Sequence, residues 1–189
     1  MCNRYRVTTD RVELADAFDV TVVPEYDRLP DPELFPKRLA YVVRREGGER
    51  LLDIMSWGFP PPSGNRPVTN VRNLASPFWR TALSRPDRRC LVPVGEFCEW
   101  EGEKGHKVAR WFRLVDRPIF AFAGLWRPFE GGGAYAFLTC EPNPLVGAVH
   151  PKAMPVILHE EDHERWMTAD MADVLPLAAP YPSQLMVME

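Results

Sequence analysis

Val108-Ala-Arg-Trp-Phe-Arg-Leu-Val-Asp-Arg-Pro-Ile-Phe-Ala-Phe-Ala-Gly-Leu-Trp-Arg-Pro-Phe-Glu-Gly-Gly-Gly-Ala-Tyr-Ala-Phe-Leu-Thr-Cys140 decides the fold class. Three aromatic and apolar runs are cut by turn residues. Val108 to Val115 and Pro118 to Trp126 read as paired strands with a turn near Asp116-Arg117. Ala134 to Cys140 reads as a third strand after the Gly131-Gly132-Gly133 turn. Cys90 to Trp100, upstream, is another apolar β-like run. Leu39 to Arg45 and Arg50 to Trp57 read as a hairpin closed by Glu46-Gly47-Gly48. Downstream, Met154 to Leu158 reads as a late strand.

Helices are short and peripheral. Thr9 to Phe18 has a Thr/Asp start and apolar Val12, Leu14, Ala15 and Phe18. Ser76-Pro77 and Asn143-Pro144 each place a capping residue before Pro at the first helical position, predicting helices to about Leu83 and Val149. Glu160 to Met167 carries acids in its first turn, as the helix dipole favours. Val20 to Pro36 is Pro-rich and irregular, and Gly58 to Thr69, with Pro60-Pro61-Pro62, is a loop. About seven strands with short helices predict a single α+β domain over 1–189, its β core largely antiparallel and barrel-like.

Composition agrees. The chain has 189 residues, 46% hydrophobic and 26% charged, enough for one domain with a sizeable core. The 20 prolines are about twice the usual share and argue against a helical bundle or coiled coil. The longest charge-free stretch, Val174 to Met188, has 15 residues and three prolines, too short and broken to span a bilayer. No apolar leader follows Met1. Cytoplasmic residence is the expectation, with no membrane partner.

The net charge is −3, but it is segregated: Ile54 to Gly95 has six Arg and one acid, Glu160 to Glu189 one base and seven acids. Of 23 basic residues 19 are Arg, the better bidentate phosphate ligand. The Arg-rich stretch is either ordinary solvated charge or a local anion-binding face. The four cysteines, 2, 90, 98 and 140, have no metal-site spacing, and neither metal nor cofactor is expected. Cys90, Cys98 and Cys140 read as small buried hydrophobes, whereas Cys2 has no core segment around it.

Four residues could carry chemistry. Cys2, if Met1 is removed, presents an α-amine and a thiol on adjacent carbons. The amine can form an imine with an aldehyde, and the thiol can close a thiazolidine. The alternative is an incidental terminal Cys. His150 sits in Val149-His150-Pro151-Lys152-Ala153-Met154-Pro155, where a titratable ring on a Pro-stiffened loop suits acid/base work or is simply a capped loop histidine. Glu99 in Gly95-Glu96-Phe97-Cys98-Glu99-Trp100 is either desolvated, with a raised pKa, or a strand-end carboxylate facing water. Asn70 and Arg72 point the same way in an extended segment and could converge on one substrate, or form a polar loop ladder. His106, His159 and His163 are expected at the surface.

In chain order, Met1-Cys2-Asn3-Arg4-Tyr5, Ser56-Trp57-Gly58-Phe59, Thr69-Asn70-Val71-Arg72, Cys90-Leu91-Val92-Pro93 with Glu96-Phe97-Cys98-Glu99-Trp100, and Thr139-Cys140-Glu141-Pro142-Asn143-Pro144 with His150-Pro151-Lys152-Ala153-Met154-Pro155 resemble the SOS-response-associated peptidase (SRAP) family of abasic-site processing proteins. The resemblance covers nearly the whole chain. It implies binding to single-stranded DNA, or a single–double-strand junction, at an abasic site, and a thiazolidine DNA–protein cross-link through Cys2 that protects the lesion. By the same resemblance Asn70 positions the α-amine or opened sugar, and Glu99 and His150 move protons. Arg4, Arg72 and Lys152 hold phosphates, while Trp57 stacks on a base or packs in the core. The family is also described as a self-processing peptidase; with only Met1 before Cys2, an ordinary aminopeptidase suffices. A monomer, nucleoid-associated when on DNA, is expected. Asn3 stands where many members have Gly, and Asn73 where many have Glu. The competing readings are an N-terminal-nucleophile cysteine hydrolase and a non-covalent reader of modified bases.

Overall fold

The computed structural model describes residues 2–26, 29–61, 63–103 and 105–189. Met1, on whose removal the Cys2 chemistry depends, and Pro62 of the triple-proline loop lie outside the described residues. In chain order the elements are Tyr5–Arg6 (β1), Arg11–Ala17 (α1), Glu33–Leu34 (β2), Leu39–Glu46 (β3), Glu49–Trp57 (β4), Asn70–Val71 (β5) and Pro77–Leu83 (α2). Arg89–Val94 (β6), Glu96–Glu101 (β7), Val108–Leu114 (β8), Phe120–Phe129 (β9), Gly132–Cys140 (β10) and Pro144–Gly147 (α3) follow. The chain then forms Met154–Pro155 (β11), Ile157–Leu158 (β12), His163–Thr168 (α4), Met171–Val174 (α5) and Met186–Met188 (β13).

Five strands close a barrel in the order β4-β3-β6-β9-β10, with β10 returning to β4. All neighbours are antiparallel except β10 and β4, which run parallel (Ala134 opposite Ser56). A second, antiparallel sheet runs β13-β8-β7-β1-β2. Apolar side chains join the two: Tyr5 of β1 packs edge-on to Trp57 at 5.1 Å, and Phe97 of β7 meets Phe122 of β9 at 5.6 Å. Trp57, Tyr5, Phe97, Phe122, Tyr135 and Phe137 are fully buried. Each buried apolar side chain of this size contributes about 1.5–3 kcal/mol. The Tyr5 and Tyr135 hydroxyls satisfy one another inside this core.

The α+β barrel expected from sequence is present, but one expected pairing is absent and two expected strands are each divided in two. Cys90 to Trp100 is two strands, broken at Gly95, where the backbone leaves the barrel for the second sheet. Gly95 N–H donates to the Arg6 carbonyl at 2.8 Å, tying the crossing point to β1. Val108–Val115 and Pro118–Trp126 are not a hairpin. β8 pairs with β7 and β13, while β9 pairs with β6, β10 and β12. The true hairpin is β9–β10, turned by Glu130 and Gly131, both at positive φ. Met154 to Leu158 divides at Val156, so that β11 joins β10 and β12 joins β9. A 3₁₀ turn, Glu160–Asp162, precedes α4.

Capping chemistry sets the helix starts. The Asp10 carboxylate accepts from the Val12 and Glu13 amides, so α1 begins at Arg11 rather than Thr9. Asn143 accepts from Val146 N–H at 2.9 Å before Pro144. His163, expected at the surface, is buried and stacks on Phe18. Of the Arg-rich stretch, Arg89 is buried against Trp166, Arg85 and Arg88 share Asp87, and Arg72 pairs with Glu141. Among the described residues no helix is long and apolar enough to cross a membrane.

Candidate active site

The site forms where the segment before β1 enters the seam between barrel and second sheet. The Arg4 carbonyl accepts from the Cys98 amide at 2.9 Å, pinning this segment to β7. The same carbonyl accepts from the Cys2 thiol at 3.5 Å. Cys2 is therefore buried, 1% exposed, as are the other three cysteines. Burial, and then the nearby Glu99 carboxylate, push its thiol well above the ordinary range. At neutral pH the sulfur carries its proton.

Asn70 approaches from the other side. β5 lies parallel to β10, with Asn70 opposite Phe137. Its Nδ2 donates to the Cys2 carbonyl at 3.0 Å and to Thr69 Oγ1 at 2.8 Å. Its Oδ1 is buried without a hydrogen-bond partner among the described residues. Such an acceptor suits an incoming N–H or O–H. Glu99, on β7 opposite Arg110, is 2% exposed. Burial raises its carboxyl to about 7, against smaller opposing pulls from the amino terminus and then Lys107. The structure thus bonds Asn70 to Cys2 and places the Glu99 carboxylate close enough to act on the Cys2 thiol, and of the two readings of Glu99 it selects the desolvated one.

His150 stands on the loop between α3 and β11. Its Nδ1 meets the Ala153 carbonyl at 2.9 Å, so the neutral ring donates there and carries its lone pair on Nε2. Burial first, and the charges of Lys152 and Arg72, lower its pKa, keeping the ring neutral near pH 7. β11 lays Met154 opposite Cys140, bringing this loop back to the end of β10. There Arg72 Nη1 donates to the Cys140 carbonyl at 3.0 Å and Nη2 to the Glu141 carboxylate at 2.6 Å. His150, Lys152 and Arg72 therefore border the Asn70 side of the site.

Arg4 is paired with Glu33 and lies 4.9 Å from the Trp111 ring. Trp57 does not present a face to a base. It is fully buried, between Tyr5, Tyr135 and Phe137. Its indole N–H holds the Thr69 carbonyl at 3.3 Å, so it supports the residue before Asn70. Sequence reasoning missed the acidic partners Glu33 and Glu141. Glu141 was legible as the acid beside Cys140 in the motif, but nothing local showed that it faces Arg72. Among the described residues, no group of three or more metal-ligating side chains converges.

A small closed barrel with a flanking sheet, and at their seam a buried cysteine held by a carboxamide and within the field of a buried carboxylate, defines an α+β protein built around a cysteine. The sequence profile described as SOS response associated peptidase (SRAP) matches residues 1–189, and the chain belongs to that family. It is 25% identical over 180 residues to the "Abasic site processing protein YoaM" of Bacillus subtilis (strain 168), covering 88% of this chain and 79% of the relative. The fold matches a crystal structure from Bordetella bronchiseptica with a TM-score of 0.83 at 22% identity, over 99% of this chain and 98% of the other. A crystal structure from Bacteroides thetaiotaomicron matches with a TM-score of 0.84 at 20% identity, over 99% and 90%.

Proposed function

We propose that this protein processes abasic sites in single-stranded DNA, or at a junction with duplex. In this reading Cys2, made terminal by removal of Met1, forms a thiazolidine with the ring-opened sugar aldehyde. The observation that carries the reading is the Asn70 carboxamide on the Cys2 carbonyl, with Glu99 buried alongside. Family membership and the name of the Bacillus relative support the substrate class.

The electrostatics suggest an order of events. A protonated thiol is a poor first nucleophile, whereas an α-amine near pH 8 is available. The amine adds to the aldehyde carbon, and the carbinolamine loses one water to give an imine. The thiol then adds across the C=N bond, sulfur to carbon and its proton to nitrogen, closing the five-membered ring. The net change is loss of one water. Glu99, titrating near 7, can hold the proton for ring opening and dehydration and take one back, and neutral His150 can act as base. Asn70 orients the Cys2 backbone, while Arg4, Arg72 and Lys152 supply phosphate contacts.

A denaturing gel tests this directly. The protein mixed with a single-stranded oligonucleotide bearing one abasic site gives a shifted covalent band, and Cys2→Ala does not. Binding without any covalent band would instead support a non-covalent reader. Ammonia or acyl-product release without DNA would support a hydrolase.

A further inference from the structure

We infer that Glu141 sets how strongly the protein grips intact DNA, by occupying the Arg72 guanidinium that a backbone phosphate would otherwise take. The inference rests on the proposed single-strand reading and adds to it a residue that opposes binding. Arg72 has one end nitrogen committed to the Cys140 backbone carbonyl and the other to Glu141. The carbonyl bond fixes the guanidinium plane. The carboxylate then fills the position from which a phosphate oxygen would meet the same fork, because guanidinium binds either anion with the same geometry.

Both side chains reach solvent, 42% exposed for Arg72 and 76% for Glu141, so the pair stands where a strand could touch it. An exposed ion pair is weak, and a phosphate can replace the carboxylate. His150 lies within the fields of both Arg72 and Lys152, and two positive charges around one ring make the spot attractive to anions. Glu141 counters that attraction. Its effect is to weaken non-covalent contact along undamaged strands. At a lesion, bond formation with Cys2 holds the complex whatever that affinity is.

The test is fluorescence anisotropy of an intact, undamaged single-stranded oligonucleotide with wild type, Glu141→Gln, Glu141→Asp, Arg72→Ala and the Arg72→Ala/Glu141→Gln double variant. Glu141→Gln is expected to bind about two- to five-fold tighter at low salt, the scale of one exposed ion pair, with the gap closing as salt rises. Glu141→Asp restores wild-type affinity, and the gain vanishes on the Arg72→Ala background. Equal or weaker binding by Glu141→Gln overturns the inference, as does an equal gain without Arg72. A wild-type cross-link on abasic DNA with no gain in Glu141→Gln sinks this inference alone. Absence of both binding and cross-linking removes the DNA reading with it.

Discussion

Glu99 shows how one buried carboxylate couples stability to chemistry. Its pKa is about 7 in the fold against an ordinary 4.5, so between these values the unfolded chain gives up a proton that the native state keeps. Native stability therefore falls as pH rises from 4.5 to 7, and the full cost remains above 7. The shift corresponds to about 3 kcal/mol. His163 works in the opposite sense: burial depresses it to about 4 from 6.5, so stability falls as pH drops through that window. The two contributions nearly offset between pH 4.5 and 6.5. Glu99→Gln is expected to be more stable than wild type at pH 8, by about 1–3 kcal/mol, and to lose stability on acidification where wild type does not. Urea melts across pH check both, and the same variant forms its cross-link more slowly because the shuttling proton is gone. A Glu99→Gln protein that is less stable than wild type at pH 8 contradicts a desolvated Glu99.

At the scale of elements, the site depends on how strands end. Gly58 closes β4 at φ +115, donates to the Tyr135 carbonyl at 2.8 Å, and turns the chain toward the Phe59–Val68 bridge. A Cβ there would meet Pro67 Cβ at 2.5 Å. Gly58→Ala is expected to cost about 1–3 kcal/mol, visible as a lowered melting temperature, and to slow cross-linking because the displaced loop leads to Asn70. A variant with unchanged melting and unchanged rate contradicts this link. The strands themselves were legible, since alternation and turn residues are local signals. Partners were not. Cys90 to Trp100 reads as one run because both halves are apolar, and only the Gly95–Arg6 contact divides it between sheets. The break between β8 and β9 was visible as Asp116-Arg117-Pro118, but a turn signal does not say which sheet follows. The parallel returns of β10 to β4 and β5 bring together residues more than sixty positions apart, beyond any local pattern.

At the scale of the molecule, the packing of the second sheet against the barrel explains why residues 2, 70 and 99 gather. β5 rides on β10 and β7 carries Glu99, and the segment ahead of β1 threads between them. Residue types and motif strings pointed to these three, but their gathering follows from how the two sheets meet. Burial was the weakest sequence signal: Trp57 and His163 are core residues because of what packs on them, not because of their neighbours in sequence. Intact-mass measurement of the purified adduct with an abasic oligonucleotide tests the central claim. A thiazolidine through Cys2 gives the sum of the DNA and the protein lacking Met1, less one water, unchanged by borohydride. An adduct retaining Met1, or one that takes up two hydrogens on borohydride treatment, contradicts it.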